Sequence, residues 1–311
     1  MANRQDFPPV YSFEQIRRHV IERAASGRPR AALIVPHEAV SLPAFADAAA
    51  LGLIEPIIIG DEALFRATAP ELGIDLDRIK LIDINQPTMA VEVAAKMAEA
   101  GEIDLIVQGR LTPEYLVQLL SVASEAFVAP GRTMSHVGVL KTARYPKLLF
   151  VTDGLVHEEP NLATKMALLD NLARVAKTVG VPEPRTAVVT AVEVIYPQMP
   201  ATTDAAVLAK MCERGQFKGI RVDGPLSFDI AVDSFAAESK GIKNSPVAGQ
   251  ADAILASTKY VAQGVYQAMS LFTDCESGGV LIGGRVPVAV NFVSEPITAR
   301  LNSILLACLL T

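Results

Sequence analysis

Two arginines and a serine-histidine pair are the residues with the clearest chemical potential in this chain. Arg110 lies in the segment QGRLT, and Arg132 lies in GRTMSH, which ends in Ser135 and His136. A guanidinium binds phosphate and carboxylate groups through parallel hydrogen bonds, so both arginines could clamp an anion, although each could equally be solvated at a loop edge. His136 lies in a strand-like run, where a histidine is more often a core side chain than a site residue. For Arg110, Arg132 and His136, a role in the site and a role outside it both stay open.

Two glycine pairs, Gly278-Gly279 and Gly283-Gly284, flank a predicted strand near the end of the chain. Such glycines either cradle a phosphate with backbone N–H groups or allow a tight turn, and the sequence does not separate these uses. The patterns GxxxxGK[ST], GxGxxG, HExxH and GxSxG are absent. No spacing of serine, histidine and aspartate singles out a nucleophile.

The elements that must position these residues alternate between short apolar strands and helices. Strands are predicted at 31–35, 56–59, 79–84 and 104–107, and helices at 42–51, 90–100 and 112–126. This alternation predicts a parallel sheet covered on both faces. Ligands bind such sheets beyond the carboxyl ends of the strands. By that rule four loops are candidates for the site: 108–112, 131–136, 257–264 and 291–295.

The pattern changes after residue 126. The runs Met134 to Leu140 and Lys147 to Val151, joined through Arg144-Tyr145-Pro146, predict an antiparallel hairpin. We place the start of a second domain near this hairpin. Alternation resumes with a helix at 162–179 and a strand at 186–192.

The remaining elements include several with clear boundary signals. Thr202 is the expected cap of a helix at 203–214, and the strand after it is expected to end in the turn Asp223-Gly224-Pro225. A single helix is predicted from Phe228 to Ser239. The helix from Pro296 onward has an apolar face but is far shorter than the roughly 20 residues of a membrane span, so we predict a core helix.

Composition limits the classes of partner. The 311-residue chain is half apolar and one fifth charged, with a net charge of −6 and a pI near 5.4. Without basic runs, a nucleic-acid or membrane partner is not expected, and small metabolites fit better. Three widely spaced cysteines, Cys212, Cys275 and Cys308, suit buried thiols more than a disulfide framework, and no metal site is expected. The first 30 residues lack the apolar core of a signal peptide, so we expect a cytoplasmic protein.

A series of longer motifs is similar to the phosphate acetyltransferase and phosphate butyryltransferase family. The motifs are SHVGVL at Ser135, VTDG at Val151, AVEV at Ala191, ATTDAAVLAKM at Ala201, GQFKGIRVDGPLSFDIAV at Gly215, VAGQADAI at Val247 and GGRVPVAV at Gly283. The resemblance covers nearly the whole chain, and several long motifs in one order make it specific.

The resemblance implies a fold and a reaction. The fold has two doubly wound α/β domains with a cleft between them, as in isocitrate and isopropylmalate dehydrogenases. Residues 1–145 and 284–311 would form the first domain and 146–283 an inserted second domain. The reaction is transfer of a short-chain acyl group between coenzyme A, a substrate, and phosphate, carried out by a homodimer.

The resemblance also implies roles for named residues. Ser294 matches a serine of the family that helps to hold the phosphate, and His136 lies in a matching loop segment. The predicted catalytic residues are Ser294, Glu295 and His136. From the candidate loops and the second glycine pair, the predicted substrate-binding residues are Gln108, Arg110, Thr112, Arg132, Ser135, Tyr260, Gln263, Gly283 and Gly284.

The chain departs from the family pattern in two places, at and after position 295 and in the segment 256–267. Where family members have arginine after the serine, this chain has Glu295, whose charge would repel a phosphate. The acidic residue usually found a few positions later is absent, and Arg300 is the one charged residue between Pro296 and Ser303. The segment 256–267 also differs, with Ser257-Thr258, Ala262-Gln263 and Gln267 at positions where the family has proline-aspartate, glycine-asparagine and lysine.

Three hypotheses follow. The first is a phosphate acyltransferase, for which a Glu295→Arg change is expected to raise activity with phosphate. The second is a diverged member that binds another cofactor or metabolite without phosphotransacylase activity, with Glu295 as a general base or an acceptor for a cationic or amide group. The third is a silent subunit that pairs with an active partner.

Overall fold

The structure is a computed structural model that describes residues 11–36, 40–72, 79–123, 127–128 and 131–311. Its strands are β1 Arg30–Ile34, β2 Glu55–Gly60, β3 Lys80–Asp83, β4 Leu105–Gln108, β5 Ser135–Lys141, β6 Leu149–Thr152, β7 Arg185–Val189, β8 Arg221–Leu226, β9 Ala253–Ala256, β10 Glu276–Ile282 and β11 Val288–Val290. Its helices are α1 Phe13–Ala24, α2 Ser41–Ala50, α3 Glu62–Thr68, α4 Pro87–Glu99, α5 Pro113–Ala123, α6 Leu162–Thr178, α7 Pro200–Glu213, α8 Phe228–Val232, α9 Ser234–Ser239, α10 Lys259–Phe272 and α11 Ile297–Leu310.

The contacts divide the chain into two compact units. Phe13–His136 and Glu276–Thr311 form one, which we call the flanking unit. Val137–Cys275 makes up most of the other, which we call the central unit. The domain boundaries that we predicted after residues 145 and 283 stay a prediction.

The flanking unit contains the strand order β3-β2-β1-β4-β11-β10. The pairs β1–β2, β2–β3, β1–β4 and β4–β11 are parallel, whereas β10 and β11 are antiparallel. All four residues of β4 are buried, as expected for a strand covered on both faces. Helix α11 packs against α1, α2 and β10, and it is buried from Ser303 to Leu310, so the predicted core helix is confirmed.

The central unit contains the strand order β5-β6-β9-β7-β8. Strands β5 and β6 are antiparallel, with Val137 opposite Thr152, so the predicted hairpin is confirmed. The remaining pairs in this unit are parallel. The strands again alternate with helices, α6 to α10.

One predicted turn in the chain is wrong. Asp223-Gly224-Pro225 does not form a turn but lies inside β8, whose pairing with β7 shifts register between Ala187 and Val189. Proline is tolerated there because β8 is the edge strand, where a missing N–H removes no ladder hydrogen bond on the open side.

Three predicted helix boundaries are also corrected. The helix predicted from Phe228 to Ser239 is divided at Asp233, which is extended and whose carboxylate accepts from Ala236 N, starting a new helix. Helix α7 begins at Pro200, so Thr202 lies in its first turn instead of capping it. The predicted loop 257–264 is mostly helical, because the Thr258 hydroxyl caps α10.

None of the helices in the described ranges is both long enough and apolar enough to cross a bilayer.

Candidate functional site

The loops after β1 and β4 cross at one point of the flanking unit. The carbonyl of Val35 accepts from Arg110 N at 2.6 Å. A Cβ on Gly109 would lie 1.9 Å from that carbonyl oxygen and 2.2 Å from the oxygen of Ile34, so only glycine fits. Val35 has a φ of 49°, which is rare for a β-branched residue. The strand order changes direction between β1 and β4, and open α/β sheets bind ligands at such points.

Gln108 joins this crossing to the loop after β11. Its side chain is 3% exposed. Its Oε1 accepts from Asn291 N at 2.6 Å, and its Nε2 donates to the carbonyl of Leu111 at 2.7 Å. The loop that carries Arg110 and the loop that carries Ser294 are therefore held side by side. Gln108 was predicted to bind substrate, but its two polar atoms bind backbone.

Glu295 closes its own loop. Its Oε1 accepts from the hydroxyl of Ser277 at 2.6 Å, and its Oε2 accepts from Phe292 N at 2.8 Å and from the side-chain amide of Asn291 at 3.1 Å. The side chain is 4% exposed. Glu295 thus accepts from an amide of the protein itself, the side chain of Asn291. The predicted catalytic role of Glu295 stays a prediction.

Three predicted site residues at this end of the sheet face solvent. Ser294 and Arg110 are exposed in the two loops that Gln108 joins. Thr112 is also exposed, and its hydroxyl accepts from Tyr115 N at 3.3 Å at the start of α5. These side chains are accessible to a small ligand.

Arg300 is a buried cation in the first turn of α11, close behind this loop. Arg300 is 8% exposed. Its Nε is enclosed and has no hydrogen-bond partner among the described residues. Burial lowers the pKa of Arg300, and the charge of Glu295 partly offsets this shift. Sequence reasoning assigned no role to Arg300. The signal was available, because it is the only charged residue in α11.

His136 and Ser135 are buried at the start of β5. Burial lowers the pKa of His136 to about 3, because the imidazolium would lose its solvating water. The ring makes an edge contact with Phe292 at 5.9 Å between centroids. Its Nε2 would lie 2.7 Å from a Cβ on Gly279, so glycine is required there for packing. His136 is neutral at physiological pH and supplies no positive charge to a phosphate.

Arg132, Gly283 and Gly284 lie at the other end of β10 from Ser277. A Cβ on Gly283 would lie 2.1 Å from the carbonyl oxygen of Thr133, and one on Gly284 would lie 2.6 Å from the ring of Phe127. These glycines therefore allow close packing. Since a strand rises about 3.3 Å per residue, six residues of β10 separate them from the Glu295 loop by about 20 Å. Their predicted substrate-binding role stays a prediction.

The last two predicted residues belong to the central unit. Tyr260 and Gln263 lie in the first turns of α10, where Tyr260 is 60% exposed. Lys259 beside them lies 5.8 Å from the Tyr260 ring and 3.2 Å from the carboxylate of Glu158. Their substrate-binding role also stays a prediction. Among the described residues, no group of His, Cys, Asp and Glu side chains is arranged to hold a metal ion.

Comparisons with known proteins point to one family. Residues 86–308 match the family model described as "Phosphate acetyl/butaryl transferase". The chain is 33% identical over 301 residues to a phosphate butyryltransferase of Clostridium acetobutylicum, covering 96% of this chain and 98% of that one. It is 33% identical over 288 residues to a phosphate acetyltransferase of Rhizobium meliloti, covering 92% and 90% respectively.

The fold has matching solved structures. A branched-chain phosphotransacylase of Enterococcus faecalis superposes with a TM-score of 0.74 at 21% identity, covering 90% of this chain and 98% of that one. A phosphotransacetylase of Streptococcus pyogenes gives a TM-score of 0.75 at 19% identity, covering 96% and 98%. The predicted α/β fold class is confirmed by these likenesses.

Proposed function

The chain belongs to the phosphate acetyl/butyryl transferase family, and from this membership we propose that its reaction centre includes the ends of β1, β4 and β11 in the flanking unit. The protein is a phosphotransacylase, which transfers an acetyl or butyryl group between coenzyme A and phosphate. The predicted acyltransferase function is confirmed, and a replaced reaction or a silent subunit is not retained.

The observation that supports this location is the bridge made by Gln108. It holds the Arg110 loop and the Ser294 loop together through hydrogen bonds of 2.7 and 2.6 Å. Arg110 and Ser294 are both exposed, and their two loops lie side by side at the switch point of the sheet. Arg110 can donate to phosphate oxygens in a bidentate manner, and the Ser294 hydroxyl can donate a further hydrogen bond.

These groups suit the electrostatic needs of the reaction. The thiol sulfur of coenzyme A attacks the acyl carbon of the acyl phosphate, a carbon–sulfur bond forms, and the carbon–oxygen bond to phosphate breaks. The electron pair leaves with the phosphate, which takes up the thiol proton. Negative charge grows on the leaving oxygen, and preorganised donors that stabilise it lower the barrier. Because burial keeps His136 neutral, the proposal assigns this stabilisation to Arg110 and Ser294.

The test is release of free thiol from acetyl-CoA and butyryl-CoA on addition of phosphate. The wild-type protein should release thiol only when both substrates are present. Arg110→Gln should raise KM for phosphate by about 10- to 100-fold, the size of one lost charge-assisted hydrogen bond. Arg285→Gln, an exposed arginine beside Gly284 at the other end of the strand, is the matched control and should retain activity. An unchanged KM in Arg110→Gln would exclude this location.

We further propose a homodimeric, cytoplasmic enzyme. The central unit carries an apolar surface in the segment Val194-Ile195-Tyr196 and at Phe235, each more than half exposed. The ion pair between Lys240 and Glu193, at 3.0 Å, holds that segment beside α9. Cys212, Cys275 and Cys308 are not joined in disulfides, which supports a reducing compartment.

A further inference from the structure

We propose that Arg300, together with the N-terminal turn of α11, forms an anion subsite that binds the phosphoryl group of the acyl phosphate or inorganic phosphate. The inference rests on the proposed function and names a residue that supplies the charge missing at position 295. Three observations on the flanking unit support it.

The first observation is that the guanidinium is buried without a protein partner. Arg300 is 8% exposed, its Nε has no hydrogen-bond partner, and its guanidinium forms no ion pair with any described residue. Buried charges in proteins are normally paired and hydrogen-bonded, since an unpaired one is costly. Nε is enclosed without a hydrogen-bond partner, and the proposal assigns the two terminal nitrogens to the anion.

The second observation is the position of this cation at a helix N-terminus. Helix α11 has 14 residues, and no side chain caps it, because Pro296 occupies the N-cap position. A helix N-terminus carries about half a positive charge and free N–H groups. A basic residue in the first turn is therefore unfavourable in the absence of an anion. With an anion bound, the guanidinium and the helix end attract the same ligand.

The third observation is that Glu295 lies near Arg300 but makes no ion pair with it. Its charge does act on Arg300, where it opposes the lowering of the pKa. However, its oxygens already accept from Ser277, Asn291 and Phe292, and it makes no ion pair with the guanidinium. Glu295 holds the loop through these hydrogen bonds, and the bound anion pairs with the charge of Arg300.

Lys165 shows how this chain treats a cation whose role is structural. It is 4% exposed, and its ammonium lies 2.7 Å from the carboxylate of Asp204. Both residues are buried cations, but only Lys165 has a carboxylate partner. Lys165 therefore provides a matched control.

The experiment compares Arg300→Met, Arg300→Lys and Lys165→Met by thermal unfolding, with and without inorganic phosphate at constant ionic strength set by NaCl. Arg300→Met removes an unpaired charge, so its melting temperature without phosphate should equal or exceed that of the wild type, while the phosphate-induced rise disappears. Arg300→Lys should restore part of that rise. Lys165→Met should melt at a lower temperature, because it strands Asp204, and should keep the phosphate-induced rise.

Kinetics provide the second readout. Arg300→Met should raise KM for phosphate by about 10- to 100-fold and leave KM for acyl-CoA unchanged. Unchanged phosphate stabilisation and unchanged KM would overturn the inference, as would a Lys165-like loss of stability with the phosphate response intact. Because the thermal response needs no turnover, a protein without thiol release would contradict the proposed function while the subsite is still tested.

Discussion

Burial decides the protonation state of His136. The ring lies against Phe292 and β10, and its pKa is lowered to about 3 by loss of solvation. A histidine in the unfolded chain has a pKa near 6.5. The unfolded chain therefore binds one more proton than the folded chain between these two values, and stability is lost as the pH falls through that window.

We predict that His136→Asn removes this pH dependence. Between pH 7 and pH 5 the wild-type protein should lose about 2 kcal/mol of unfolding free energy through His136, because one pKa unit corresponds to 1.36 kcal/mol. Urea unfolding of both proteins at the two pH values measures the difference. The comparison is between slopes, so a uniform loss of stability in the variant does not affect it. Parallel slopes would mean that His136 titrates normally in the folded protein.

Glu295 is expected to be a residue of stability. Replacement by glutamine keeps one acceptor oxygen for Phe292 N and Asn291 but turns the charge-assisted hydrogen bonds of the buried carboxylate into weaker neutral ones. We predict a loss of about 1–3 kcal/mol in chemical unfolding of Glu295→Gln.

Glu22→Gln, an exposed change on α1, is the control and should stay within about 0.5 kcal/mol of the wild type. Wild-type stability of Glu295→Gln would show that the carboxylate is not needed to close the loop. The structure also changes the expectation for Glu295→Arg. An arginine at position 295 would place a donor and a positive charge against the donors of Ser277, Asn291 and Phe292. We therefore expect unfolding and not a gain of activity.

At the scale of elements, the crossing of the β1 and β4 loops is the tightest constraint. Gly109 lies where the carbonyls of Ile34 and Val35 approach the backbone of the next strand's loop. Backbone atoms cannot yield as a flexible side chain can. The chain therefore tolerates no side chain at this position of the switch point.

Two glycine-to-alanine changes with opposite results test this constraint. Gly109→Ala would place its Cβ 1.9 Å from a carbonyl oxygen, and we expect a loss of more than about 3 kcal/mol, with phosphotransacylase activity lost as well. Gly264→Ala lies in α10 with nothing within 4 Å, so it should stabilise the protein by about 0.5–1 kcal/mol. Thermal unfolding of both variants is the measurement. Equal effects would show that crowding at residue 109 does not govern stability.

At the scale of the whole molecule, the proposed dimer depends on an exposed apolar surface of the central unit. Ile195 and Phe235 are 60% and 78% exposed. We predict that Ile195→Asp with Phe235→Asp converts a dimer to a monomer in sedimentation, because burying the new carboxylates at an interface is unfavourable.

Val122→Asp is the control for added charge, since Val122 is 75% exposed on α5 of the flanking unit. That variant should sediment as the wild type does. A wild-type monomer, or a double variant that remains dimeric, would exclude this surface as the interface.

The sequence alone determined the alternation of elements, the hairpin of β5 and β6, and the family. Each of these depends on local periodicity or on motifs read in order, and such signals are present before the chain folds. The sequence also placed Arg110 and Ser294 in loops at strand ends, where the structure has them. It failed at Asp223-Gly224-Pro225, because turn residues are tolerated in an edge strand and the sequence does not say which strand is at the edge.

Only the tertiary structure decided which polar residues are buried and which atoms they bond. Gln108 was predicted to bind substrate and Glu295 to be catalytic, and the structure shows that both side chains are buried and hydrogen-bonded to loop backbone. The sequence shows Arg300 as the one charged residue of α11. The packing shows that its Nε is enclosed without a hydrogen-bond partner among the described residues. Burial and pairing depend on contacts between residues far apart in the chain. The charge that a phosphate meets therefore depends on the folded structure, not on the order of residues in a motif.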